Sequence, residues 1–202
     1  GWGVVADSPA LAADLRAVFD ADAGWRDGVP WAQYRRNATF QNETPQPGQY
    51  PTRFPTRRGR AERVRLLVAP DNAEGELLSL VRSANRSLRV EQVSIDRNQP
   101  LLDACVAAAE RGVRVRVLLS GAWYVREENR ALAERLNARA AQEGLPLEAR
   151  LVEPRSRFEH VHVKGLIVDG DRAVVGSLNW NNVSARENRE VALVLSGRVG
   201  DT

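Results

Sequence analysis

The 202 residues contain no methionine, one cysteine and two histidines. The cysteine, Cys105, lies in the apolar stretch Leu101–Arg111, where it reads as a buried filler and says nothing decisive about redox compartment. Both histidines, His160 and His162, fall in one short segment, so histidine and cysteine together offer no metal-ligand cluster. No run of about 20 apolar residues occurs, which excludes a membrane-spanning helix within this sequence. A large charge of one sign is missing as well: the formal net charge is +3. That balance mildly favours anionic partners without separating nucleic acid from a lipid surface. Position 1 is a glycine opening directly into a strand-like run, so the chain reads as a piece of a longer polypeptide. The lack of a signal peptide therefore excludes nothing.

What is present is an ordinary globular composition, 43% hydrophobic and 27% charged, in a chain long enough for one large domain or two small ones. Gly1–Ala6 is expected as a strand. Ser8-Pro9 starts a helix that carries Leu11, Leu15, Val18 and Phe19 at helical spacing to about Ala23. From 24 to 62 the periodicity collapses. Trp25, Trp31, Tyr34, Phe40, Tyr50 and Phe54 are scattered among Pro, Gly, Asn, Gln and Arg, as in a connecting segment that packs rather than floats. Its Arg57-Arg58-Gly59-Arg60 cluster reads as solvated surface. From Arg63 strands alternate with helices. Strands are expected at Arg63–Ala69, Arg86–Ile95, Val113–Leu119, Leu147–Val152 and Glu190–Leu195. Helices are expected after Pro70-Asp71-Asn72, over Leu101–Arg111 up to Gly112, and over Glu127–Gln142 up to Gly144. Such alternation predicts an α/β fold built on a layered sheet. Trp123-Tyr124 falls in a loop after a strand, near where α/β sheets place ligands.

The segment His160–Glu190 carries the chemistry. Val161, Val163, Leu166, Ile167 and Val168 are strand formers, Asp169-Gly170-Asp171 is a turn signal, and Arg172–Leu178 reads as the returning strand of a hairpin. Alternation puts His160, His162 and Lys164 on one face of the first strand and groups Val175, Ser177 and Asn179 on one face of the second. A two-residue turn would bring His162 and Lys164 onto the face of Ser177 and Asn179; a three-residue turn would send the two sets to opposite faces. Imidazole can attack phosphorus or shuttle a proton, ammonium can hold non-bridging phosphate oxygens, and hydroxyl and carboxamide add neutral donors. Phosphoryl chemistry asks mainly for such positioning and charge stabilisation. His160 is expected to play no direct part.

His162-Val-Lys164, Asp169 after four further residues, and Gly176-Ser177-Leu178-Asn179 resemble the signature of the phospholipase D superfamily. The likeness spans about residues 63 to 197, and Asn188-Arg189-Glu190-Val191 resembles the family's ending of this half. The resemblance implies a layered α-β-α half, with a mixed sheet flanked by helices, and catalysis that uses no metal or other cofactor. It implies two such halves with facing histidines. One attacks phosphorus to form a phosphohistidine; the other protonates the leaving oxygen, then activates water or an alcohol, while paired lysines hold the phosphate oxygens. Carried onto this sequence, the catalytic set is His162, Lys164, Asp169 and Glu190, with Ser177 and Asn179 as substrate-binding donors. His162 is nucleophile or general acid, tilted toward proton transfer, and Glu190 is the carboxylate that orients it. Asp169, at the turn, is expected to organise structure more than to touch substrate.

Only one signature is present. Gly3-Val-Val-Ala-Asp-Ser-Pro resembles Val191-Ala-Leu-Val-Leu-Ser-Gly, so residues 1–23 are expected to be the strand and helix ending a preceding half. Residues 24–62 then connect, and 63–197 form the phosphodiesterase domain. The expected partners are a phosphodiester, with phospholipid ahead of nucleic acid, and a second signature-bearing half. That half lies in the same full-length chain or comes from a homodimer. Peripheral membrane contact is open, as is the compartment. A nuclease of the same superfamily and a non-catalytic phosphate- or nucleic-acid-binding module are the alternatives.

Overall fold

The computed structural model describes residues 2–23, 61–152 and 161–197. His160, the 24–60 stretch and its arginine cluster lie outside the described residues. The chain divides into two compact units, one formed by Gly1–Val5 with Phe54–Thr202 and the other by Ala6–Arg53. Of the second unit the described part is helix α1 (Pro9–Ala23), opened by Ser8, whose hydroxyl accepts from the Leu11 amide at 3.3 Å. The expected strand at Gly1–Ala6 is not formed: residues 2–8 have no regular structure. A strand needs a ladder partner. Trp2 instead lays its ring on the sheet, in the space that a Cβ on Gly165 would need.

The first unit is a mixed seven-stranded sheet flanked by helices. Its elements are β1 (Arg63–Ala69), α2 (Ala73–Arg82), β2 (Ser87–Gln92), α3 (Pro100–Glu110), β3 (Arg114–Ser120), α4 (Arg126–Glu143), β4 (Leu147–Val152), β5 (Gly165–Val168), β6 (Arg172–Gly176), α5 (Asn182–Arg186) and β7 (Glu190–Ser196). The spatial order is β1-β7-β6-β5-β2-β3-β4. β2, β3 and β4 are parallel neighbours joined through α3 and α4, while β5, β6 and β7 pair antiparallel. Followed through the ladders, β1, β2, β3, β4 and β6 run one way and β5 and β7 the other.

Alternation on the strands sets the core. Leu88 and Val90, Val115, Val117 and Leu119, Leu166 and Val168 are buried on one face. They form one cluster with Leu77, Val81, Leu101, Cys105, Leu132 and Leu136 of the helices. Each such side chain contributes roughly 1.5–3 kcal/mol by leaving water. Cys105 is 1% exposed and burial pushes its thiol up to about 12, as expected of a filler. Helix α4 ends on Gly144, whose φ of 67° is a left-handed cap that a side chain would strain.

These strand directions bring the carboxyl ends of β1, β2, β3 and β6 to the same sheet edge as the beginnings of β5 and β7. Gln92, Ser120, Gly176, Gly165 and Glu190 therefore meet at one rim. Asn129, buried on α4, fastens it by donating to the carbonyls of Val93 and Ser120, both at 2.7 Å. β2 ends at Gln92 rather than Ile95, because Ile95 leaves the ladder to bridge Trp180, and the Asp96 amide donates to the Trp180 carbonyl at 2.9 Å.

Candidate active site

His162 and Lys164 lie just before β5, outside the strand expected to carry them, where the chain enters the rim. His162 is exposed; Lys164 is 9% exposed, its stem lying against the core. The Lys164 Nζ sits 2.8 Å from Nδ1 and 3.0 Å from Nε2 of His162, and donates to the His162 carbonyl at 3.3 Å. Nearly equidistant from the two nitrogens, the ammonium stands against the ring rather than on either nitrogen's in-plane lone pair. Burial lowers the Lys164 pKa from its ordinary value, and the Glu190 carboxylate at the start of β7 pulls part of the way back. The structure therefore gathers His162, Lys164 and Glu190. Glu190 acts on the lysine through its charge.

The hairpin corrects the shared-face expectation. Val168 pairs with Arg172, leaving Asp169-Gly170-Asp171 as a three-residue loop. Asp169 at φ 55° and Gly170 at φ 82° make the turn. Continued by one step, the ladder sets Lys164 opposite Gly176 and leaves Ser177 on the other side. Ser177 hydrogen-bonds the backbone of Val191 on β7, accepting from its amide at 3.3 Å and donating to its carbonyl at 3.4 Å. Asn179 reaches the Ser184 hydroxyl at 3.5 Å, and its buried Oδ1 has no partner among the described residues. Neither side chain hydrogen-bonds His162 or Lys164. Gly176 has its own reason: a Cβ there would collide with Ala192 and the Val191 carbonyl.

Asp169 sits at the far end of β5 from Lys164, about 16 Å away at roughly 3.3 Å per residue. Its Oδ1 accepts from the amides of Arg86 at 2.7 Å and Ser87 at 2.9 Å, and its Oδ2 from the Asn85 amide at 3.1 Å and Arg172 Nη2 at 2.9 Å. Burial pushes its pKa up, but these amides and the Arg172 charge outweigh it, and the net shift is downward. The signature aspartate, counted with the catalytic set by resemblance, belongs instead to the joint between β2 and the hairpin.

One residue of the rim, Gln92, was not anticipated. Gln92 is buried at 1% exposure beside Lys164, and the sequence signal was a polar residue in the inward phase of Leu88-Val90-Gln92. Gly176 closes the same small cavity with Leu77, Lys164, Leu178 and Trp180. A further signal lay in composition: Lys164 is the one lysine of the chain, beside 28 arginines. Trp123 and Tyr124 follow β3 at this edge of the sheet, 85% and 43% exposed, with ring centroids 5.6 Å apart at 82°.

An exposed imidazole beside a buried ammonium, on the rim of a mixed α/β sheet, makes a candidate phosphoryl-transfer site. A family model described as cardiolipin synthase, PLD-like domain, matches residues 77–199, and the chain belongs to the phospholipase D-like family. Among solved structures it is similar to Nuc from Salmonella typhimurium, described as a phospholipase D family member. Identity is 27% over 67% of this chain and 83% of that one, with a TM-score of 0.52. It also shares its fold with NucT from Helicobacter pylori (20% identity, 66% and 85% covered, TM-score 0.55). A third fold relative is the phosphatidylserine synthase of Haemophilus influenzae Rd KW20 (19% identity, 66% and 34% covered, TM-score 0.54). No curated protein sequence matches.

Proposed function

We propose that this chain supplies one catalytic half of a phosphodiesterase or phosphatidyltransferase that works through a phosphohistidine. The observation that carries the reading is the Lys164 ammonium within 3.0 Å of both ring nitrogens of a solvent-facing His162. When a diester enters, Lys164 turns its protons to the non-bridging oxygens and frees the ring. His162 then attacks phosphorus, or protonates the leaving oxygen and afterwards draws the proton from water or alcohol. One imidazole cannot hold the phosphoryl group and move the proton at the same time. A second His–Lys pair, from the same full-length chain or from a second copy, completes the site, and a monomer of these 202 residues alone is inactive on phosphodiesters. Glu190 keeps Lys164 charged, and Ser177 and Asn179 support the rim backbone around the substrate.

The favoured substrate is a phospholipid, in support of which the exposed Trp123-Tyr124 pair stands at the site's edge of the sheet, the kind of amphipathic aromatic that settles at a lipid interface. Among the described residues no helix is long and apolar enough to cross a membrane. The test is a substrate panel on protein containing both halves: phospholipid vesicles, cardiolipin, and single- and double-stranded DNA. Head-group release, with transfer to added alcohol, is expected from the lipids. Cleavage of DNA that falls steeply with salt would make the protein a nuclease, and binding without turnover would make it a binding module. An acid-labile phosphoryl adduct on histidine should be trapped during turnover.

A further inference from the structure

We propose that Gln92 is the positioning residue that holds the Lys164 ammonium at the reaction site. Its catalytic meaning rests on the proposed phosphodiesterase reading; the contact itself does not. Gln92 ends β2 in the inward phase, 1% exposed, and its Oε1 has no hydrogen-bond partner. A buried carboxamide oxygen left unpaired loses its hydration without return, so the position calls for a donor. The β2–β5 ladder runs from Leu88↔Val168 to Glu91↔Gly165. Continued one residue past its last pair, the ladder would set Gln92 across from Lys164, and both residues line the same cavity.

Both side chains line one cavity of about 10 Å³, at the lower limit of roughly 10–15 Å³ that a single water requires. Its remaining walls include Leu77, Leu166, Val174 and Leu178, which offer a water no anchoring. The donor must therefore come from the protein. Of the lining side chains only Lys164 and Trp180 carry one, and only Lys164 faces Gln92 across the ladder. An ammonium has three protons. With a phosphate in place, one goes to the His162 carbonyl, one to a phosphate oxygen and one to Gln92 Oε1. Rotation about the end of the lysine stem takes Nζ from the imidazole to this arrangement.

The contact matters because Lys164 is a buried cation, and burial works against its charge. Among the described residues, the charged or titratable groups facing it are His162 alongside and Glu190 from β7. What β2, β6 and α2 turn toward it (Gln92, Gly176 and Leu77) carries no charge. A carboxamide oxygen aimed at Nζ favours the protonated form and fixes where it points, which a hydrophobic floor would not.

Because Lys164 is the sole lysine, ¹³C-ε-lysine labelling of the 202-residue chain gives a single side-chain resonance whose pH midpoint, read with saturating inorganic phosphate in place, reports this ammonium. The measurement needs no turnover. Gln92→Met is expected to lower the midpoint by about one pH unit, the size of one lost hydrogen bond to a charged group. Gln92→Glu is expected to raise it. Should Gln92→Met fail to fold, Gln92→Glu decides alone. A midpoint unmoved by Gln92→Glu, or by a folded Gln92→Met, overturns the proposal. In protein with both halves, the alkaline limb of kcat/KM should move in the same direction as the resonance; a purely structural role would lower rate without moving either. If the wild type shows no turnover while the resonance shifts as stated, the function reading fails and the Gln92 contact stands.

Discussion

Replacing Asp169 separates structure from chemistry in the signature. The carboxylate is 6% exposed at its side chain, and its two oxygens do different work. Asp169→Asn keeps an Oδ1 able to take the Arg86 amide at 2.7 Å and the Ser87 amide at 2.9 Å. It puts an NH₂ where Oδ2 met the Asn85 amide at 3.1 Å and Arg172 at 2.9 Å. Hydrogen bonds to a charged group are each worth about 1.5–3 kcal/mol and do not add. With the Asn85 and Arg86 side of the joint open to solvent, Asp169→Asn should cost about 2 kcal/mol and Asp169→Ala about 3–5 kcal/mol. The pH dependence has a definite sign. The folded carboxyl lies below its ordinary value, so its contribution is complete above about pH 3.9, the unfolded value. It is lost as pH falls through the depressed folded value, and the gap between wild type and Asp169→Asn should close in acid. Urea denaturation at pH 7 and along an acid series measures this. An Asp169→Asn variant within about 0.5 kcal/mol of wild type, or one that loses turnover at undiminished stability, would refute the structural role.

Three further outcomes follow from the same geometry. Lys164→Met should lower turnover by about 10²–10³-fold, as for loss of one charge-stabilising donor. It should also raise the thermal midpoint at neutral pH: a lysine whose folded pKa is depressed costs stability while charged, a cost that lifts as pH rises through the folded value. Calorimetry beside a rate assay reads both. Gly176→Ala drives a methyl into Ala192 and the Val191 carbonyl and should destabilise by about 1–3 kcal/mol, as overpacking does, measured by urea denaturation. Trp123→Ala with Tyr124→Ser should weaken binding to phospholipid vesicles several-fold in a sedimentation assay while leaving hydrolysis of a small soluble diester unchanged.

Where local chemistry decides, the sequence could be read closely. Arg63–Ala69 and Leu147–Val152 stand at the expected bounds because alternating apolar residues stop at turn formers, and Gly144 closes α4 because few other residues take its φ. That His162 and Lys164 stand together was likewise legible, since their spacing is local. The hairpin loop was not. Asp-Gly-Asp accommodates two- or three-residue turns, and what accompanies the choice lies 82 to 84 residues away, in the amides of Asn85, Arg86 and Ser87 that the Asp169 carboxylate accepts. That long-range capture also moves Asp169 from the reacting groups to the scaffold and turns Ser177 away from Lys164. The strand expected at Gly1–Ala6 failed for a related reason: Trp2, Val4 and Val5 are strand formers, but among the described residues no strand pairs with them. Gln92 went unnoticed because its meaning depends on which residue the ladder sets opposite it.

The central claim is that His162, backed by Lys164, performs phosphodiester chemistry, and one comparison tests it most directly: the turnover of His162→Asn against wild type, on phospholipid and on a small soluble diester, in protein containing both halves. Loss of the imidazole should lower the rate by about 10²–10⁴-fold on both substrates with the fold intact. Turnover within a few-fold of wild type would contradict the account.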